Sequence, residues 1–219
     1  MTSSPPASEP STQPTRPSDR FVAHVHELCE SDKRIRAELR RGLGLPVERC
    51  NYLHRYLVPW TAGDGTEGRG MHPDAKRARY AVAALIAARP RGARVLPATK
   101  TADGEGTVAW RARPNLGAAL AQAVSKGVLK SATAESALHL MSRQSTDAIH
   151  PGLPALTRQL LNGGIAIDWA VLLEDLSWWN RDRDRIATAW LESYFRITSD
   201  DTAPDDSGTE TPDVNEENA

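Results

Sequence analysis

The sequence predicts an all-α protein: a single-domain helical bundle over residues 20–198, between disordered tails at 1–19 and 199–219. Three features predict it. Apolar residues recur at three- and four-residue spacing in nearly every segment between the tails. Helix-start and helix-stop residues punctuate those segments, and no stretch alternates apolar and polar residues as a half-buried strand does. The N-terminal tail is rich in Pro, Ser and Thr and the C-terminal tail is acidic, so neither carries enough apolar surface to offset the entropy of ordering.

A first helix, capped by Ser18 or Asp19, is expected through Phe21, Val25 and Leu28. Ser31 can cap a second, with Ile35 and Leu39 inside and Gly42 and Gly44 ending it. Pro46 suits the first turn of a third, where Val47, Cys50, Leu53 and Leu57 keep helical spacing. After the glycine-rich loop 63–70, an Ala-rich helix is expected from Pro73 to Arg89, followed by a long basic loop over 90–113. Further helices are predicted at 114–126, 133–144 and 152–162, the last stopped by Gly163 and Gly164. Asp168 reads as the N-cap of a helix with Trp169, Leu172, Leu173, Leu176 and Trp179 on one stripe. Beyond Asn180 another helix carries Ile186, Trp190 and Tyr194.

Several function classes are disfavoured at this level. The longest apolar run, Tyr80–Ala88, is nine residues, whereas a spanning helix needs roughly 20, so no membrane partner is expected. The N-terminus carries no apolar secretory segment and two cysteines make no disulfide framework, which points to a cytoplasmic protein. There is no G-x-S-x-G elbow, and the glycine loop lacks the lysine of a phosphate loop. Asp182 and Asp184, two apart on a helix, point to different sides and read as part of a solvated face. His24, His26, Cys29, Cys50 and His54 form the only metal-like set, but without a short Cys-x-x-Cys knuckle they read as core cysteines and amphipathic histidines. No catalytic residue, cofactor or metal ligand is predicted.

Charge is more informative. The chain carries 27 basic and 28 acidic residues, but eight of the acidic ones lie in 200–219, where there is no base. Residues 20–198 then hold 26 bases against 18 acids, and all of that excess falls before Pro114. This is the pattern of a polyanion binder with an acidic tail. Lys33, Arg36 and Arg40 form a cationic stripe on the second helix, opposite Ile35 and Leu39. Lys76, Arg77 and Arg79 cluster on the Ala-rich helix. Arg91, Arg94, Lys100, Arg111 and Arg113 follow in the loop, where Trp110 either stacks on unpaired bases or anchors the loop to the core. Trp169, Trp179 and Trp190 read as core, and Trp60 as a plug at a helix end.

Six segments in order carry a resemblance. They are Leu39-Arg40-Arg41, Asn115 to Ala121, Leu138 to Arg143, Leu156 to Leu161, Ile167 to Trp179, and the final W-L-E-S-Y-F of the last helix. Together they resemble the small subunit, the CasB family, of the type I-E CRISPR surveillance complex Cascade, over about residues 20–197. The resemblance implies an all-helical, non-catalytic subunit serving antiviral defence. It implies guide RNA, target DNA, other Cascade subunits and a second copy of the chain as partners. It also implies stabilisation of the R-loop and its displaced strand through a basic surface. Arg40, Arg41, Arg143 and Arg158 match the family's motif arginines, and Lys126 lies in a stretch that is basic in the family. Glu135-Ser136-Ala137 departs from the arginines often found there, and both tails exceed what the resemblance requires. Asp168, Trp169 and Trp179 match as scaffold.

The expected nucleic-acid contacts are therefore Lys33, Arg36, Arg40, Arg41, Lys76, Arg77, Arg111, Arg113, Lys126, Arg143 and Arg158. The alternative is a free-standing helical DNA-binding regulator, which needs two adjacent helices, a tight turn and a recognition helix, most nearly within 31–57. A metal-dependent enzyme is a third reading, resting on Cys50 and His54. The acidic tail is expected either to aid solubility or to compete with nucleic acid for the cationic face.

Overall fold

A computed structural model describes residues 16–62, 70–93 and 109–200. Most of the glycine-rich loop, Arg94, Lys100 and the bulk of both tails lie outside the described residues. Among the described residues there are eight α-helices: α1 (Pro17–Ser31), α2 (Lys33–Arg40), α3 (His54–Leu57), α4 (Pro73–Ala88), α5 (Leu116–Ser125), α6 (Ser131–Ser142), α7 (Thr146–Asn162) and α8 (Trp169–Asp200). No strand occurs among the described residues, in accord with the all-α expectation.

Several boundaries follow the cap chemistry. The Asp32 carboxylate, not Ser31, caps α2 by accepting from the Arg34 N–H at 2.6 Å. Asn115 caps α5 by accepting from Ala118 N–H at 3.0 Å, and Asp168 accepts from the N–H groups of Ala170 and Val171 at 3.2 and 3.1 Å. At the first helix the expectation needs correction. The helix starts at Pro17, with Arg16 at the N-cap, so Ser18 and Asp19 are buried in its first turn and the folded body begins before residue 20.

The predicted third helix is the largest departure. Residues 47–60 form three 3₁₀ turns around the single turn of α3. The segment packs closely on the end of α2, where a Cβ on Gly42 would stand 2.9 Å from the Leu53 side chain. A helix-turn-helix reader needs a continuous recognition helix, and this segment has none. In α7 the opposite happens. The helix starts six residues earlier than predicted and runs through Pro151 and Pro154, because burial of Ile149, His150 and Leu153 outweighs the two missing N–H donors.

Helix α8 is a hairpin in all but name. Only Asp182 leaves helical geometry (φ −126°, ψ 28°). Residues 175 and 190 would stand about 22 Å apart on a continuous helix, yet Trp190 Nε1–H donates to Asp175 Oδ2 at 2.7 Å. The Trp179 and Trp190 rings likewise meet at 4.9 Å between centroids. The apolar-free run Asn180–Arg185 forms the turn, its charges satisfied locally by Arg185–Asp182 and Arg183–Asp184 pairs. The two limbs of α8 pack against α4 and α5, and α1 and α6 close the flanks. Contact is closest at Gly117, where any Cβ would run into the Trp190 carbonyl oxygen. Trp169, Trp179 and Trp190 are core, as predicted, and Trp60 packs edge-on against Phe21.

Candidate nucleic-acid interface

The cationic stripe of α2 lies beside the C-terminal end of α4. Arg36 Nε donates to the Ala87 carbonyl at 3.0 Å and its Nη2 to the Arg89 carbonyl at 2.5 Å. A guanidinium at that end satisfies carbonyls the helix leaves open and opposes its negative dipole end. Arg36 is thus committed to holding α2 against α4, a role different from the phosphate contact expected of it. What it builds is a groove of about 570 Å³ lined by Lys33, Arg36, Arg40, Arg89 and Arg91, with Glu30 as its carboxylate and Cys29 at its base. Glu30 is taken by Arg89 at 3.0 Å. Burial pushes the Cys29 thiol up in pKa, against the pull of Arg36 and Arg89.

A second groove, about 480 Å³, adjoins the first and shares Arg40 and Ala88 with it. Arg158 of α7 also lines it, and the rest of its wall is mostly apolar, Leu43, Leu85, Pro151, Pro154, Ala155 and Leu161, with the Thr157 hydroxyl donating back to the Leu153 carbonyl. Helices α4 and α7 run in the same direction here, since Arg77 pairs with Asp147 near their starts while Ala88 and Arg158 line one groove near their ends. Lys33, Arg40, Arg91 and Arg158 are exposed and form no ion pair among the described residues.

Of the predicted contacts, this surface therefore gathers Lys33, Arg36, Arg40 and Arg158. It adds Arg89, the expected end of the Ala-rich helix, and Arg91 from the basic loop. Pro90 immediately after α4 was the available signal, since it stops the helix and turns its last bases onto one rim.

The other predicted contacts lie apart. Arg41 is exposed at the C-cap of α2 beside Tyr52 and lines neither groove. Lys76 and Arg77 are half-buried near the start of α4, about 18 Å of helix rise from Ala88, and Arg77 is engaged with Asp147. Arg111, Lys126 and Arg143 are exposed, the last two at the ends of α5 and α6.

Arg113 requires a correction. Its side chain is 6% exposed and lies between Asp19 and Asp168, 4% and 7% exposed. Its Nη1 donates to Asp19 Oδ1, while Nε and Nη2 donate to the two oxygens of Asp168, all at 2.7 Å. Burial disfavours the charge, but these bonds outweigh it and raise the pKa. Arg113 is a structural clamp joining α1, the chain ahead of α5, and α8, and it offers nothing to phosphate. Trp110 belongs with it, since the Arg16 and Arg113 guanidiniums lie 4.2 and 4.7 Å from its ring. The loop-anchor reading is the one its packing supports.

The metal-like set is dispersed. His24 meets Trp60, His54 meets Tyr80, and Cys29 and Cys50 are separately buried. No three His, Cys, Asp or Glu side chains among the described residues stand close enough to hold a metal ion. Among them, too, no helix is long and apolar enough to cross a membrane.

Comparison with known proteins bears on the same body. A family model described as CRISPR-associated protein Cse2 matches residues 35–195. A chain of a CRISPR RNA-guided surveillance complex is 34% identical over 85% of this chain and 95% of its own, with a TM-score of 0.68. A chain of a surveillance complex in a pre-nicking state is 36% identical over 85% and 96%, with a TM-score of 0.69. CasB of M. ruber, 22% identical over 85% and 97%, shares the fold with a TM-score of 0.63. No curated protein sequence matches.

Proposed function

The chain belongs to the Cse2 (CasB) family of CRISPR-associated proteins, small subunits of the type I-E Cascade complex, and we propose that it stabilises the R-loop there through the α2–α4–α7 surface. The observation that carries this reading is the run of exposed cations Lys33, Arg40, Arg91 and Arg158, without ion-pair partners among the described residues, along two connected grooves. Replacing a DNA duplex by an RNA–DNA heteroduplex is nearly balanced in energy, so backbone contacts to the separated strands can decide it. Such contacts need charge and shape rather than base-edge chemistry, and each phosphate neutralised releases counterions. The subunit acts without catalysis, in the cytoplasm, beside guide RNA, target DNA, the other subunits and a second copy of itself.

The test is R-loop formation by the complex carrying Arg40→Gln and Arg158→Gln together. The expected result is weaker R-loop formation with the log–log salt slope shallower by about 2. An unchanged slope in a folded, assembled variant would remove this surface from the reading.

A further inference from the structure

We propose that the groove between α2, α4 and α7 receives an unstacked base of a single DNA strand whose phosphates lie along Arg40 and Arg158. This rests on the reading above and names the ligand more closely. The first groove gathers five bases, Lys33, Arg36, Arg40, Arg89 and Arg91, against one carboxylate, Glu30, which Arg89 neutralises. The second differs: its two cations stand on its rim, and its wall is formed by Leu43, Leu85, Pro151, Pro154 and Ala155. A volume of about 480 Å³ falls in the range, roughly 300–1,000 Å³, of clefts that enclose small ligands. Because Arg40 lines both grooves, a phosphate held there leaves its attached nucleoside at the mouth of the apolar one.

Charge at the rim and apolar surface within match a nucleotide and suit few other anions. A free phosphate or an acidic peptide would use the cations and leave the proline wall bare. A duplex would do the same, since its bases are paired and stacked. An unpaired base has an apolar face to bury against the leucines and prolines, and burial of a face does not read the base's edges. The prolines are the notable part of the wall. Both sit within a helix, where each removes an N–H donor, and both face this groove.

The test uses the full chain with two single-stranded DNA probes of equal length, one of oligothymidine and one whose central residues are abasic. The oligothymidine is expected to bind about fivefold more tightly, the effect of burying a few tens of Å² of base face, with the same salt slope for both. Ala155→Phe, which fills the groove from an exposed position of α7, should abolish that difference and leave the slope intact. Pro154→Ala should reduce it, and it retains a variant to measure if the phenylalanine disturbs folding. Equal affinity for the two probes, or a preference untouched by both variants, overturns the base-binding groove while the phosphate track stands. If neither probe shows a salt slope that Arg40→Gln reduces, the underlying reading fails as well.

Discussion

Arg113→Ala isolates the clamp that ties α1 to the start of α8. The wild-type guanidinium makes three charge-assisted bonds at 2.7 Å to Asp19 and Asp168, all three groups being under 8% exposed. Truncation removes those bonds and strands two buried carboxylates. Breaking one buried pair costs about 3–5 kcal/mol. Asp168 keeps its two N–H donors at the start of α8, and Asp19 lies in the first turn of α1, where the helix dipole favours an anion. Those residual partners hold the loss near the single-pair figure, so about 4 kcal/mol is expected. For a body of this size that lowers Tm by about 8–16 °C. Urea unfolding of the variant should show the midpoint fall at unchanged m, and Arg113→Lys, which keeps the charge but loses the two-pronged fit to Asp168, should fall between. A loss under about 1 kcal/mol, or strict additivity of Arg113→Ala with Asp19→Asn, would refute the clamp. Since Arg113 is not on the surface, the lysine variant should also leave the nucleic-acid salt slope unchanged.

Three further outcomes are expected. Lys33→Gln should lower the salt slope by about 1 without changing stability, whereas Arg36→Gln should lower Tm by uncapping α4 and change the slope far less. Gly117→Ala should cost more than about 3 kcal/mol, read as a collapsed Tm or insoluble protein, because its Cβ meets the Trp190 backbone. Burial raises the Asp175 carboxyl to about 7, against the Trp190 hydrogen bond and the Arg185 charge, which favour the ionised form. The folded state therefore binds this proton more tightly than the unfolded one. Its stabilisation is complete below about pH 4 and is lost as pH rises through 7. Asp175→Asn, which keeps an acceptor for Trp190, should flatten that dependence and leave the protein about 2–4 kcal/mol more stable than wild type at pH 8, measured by urea unfolding at pH 5 and pH 8.

The local chemistry of the chain determined its helices wherever caps and periodicity agreed. Asp168 caps the helix it is expected to cap, and the tryptophan stripes are core. The charge excess before Pro114 was equally legible, and with it the cations Lys33 and Arg40. These are properties of near neighbours along the chain, which spacing records. Tertiary structure decided the rest. It set the reversal at Asp182, the breaking of 46–60 into single turns and the passage of α7 through two prolines, because burial against distant helices outweighs local propensity. It also sorted the arginines. Arg113 and Arg111 are two residues apart, yet one is sealed between carboxylates brought from residues 19 and 168 while the other is exposed. Arg36 looked like its stripe-mates Lys33 and Arg40 until the end of α4 came to rest against it. Arg158 joined Arg40 only because α7 lies along α4. A sequence records how many charges a chain has and which face of a helix they take. Whether a charge meets water, a carboxylate or a carbonyl depends on segments far away in the chain, and only the folded packing brings those together.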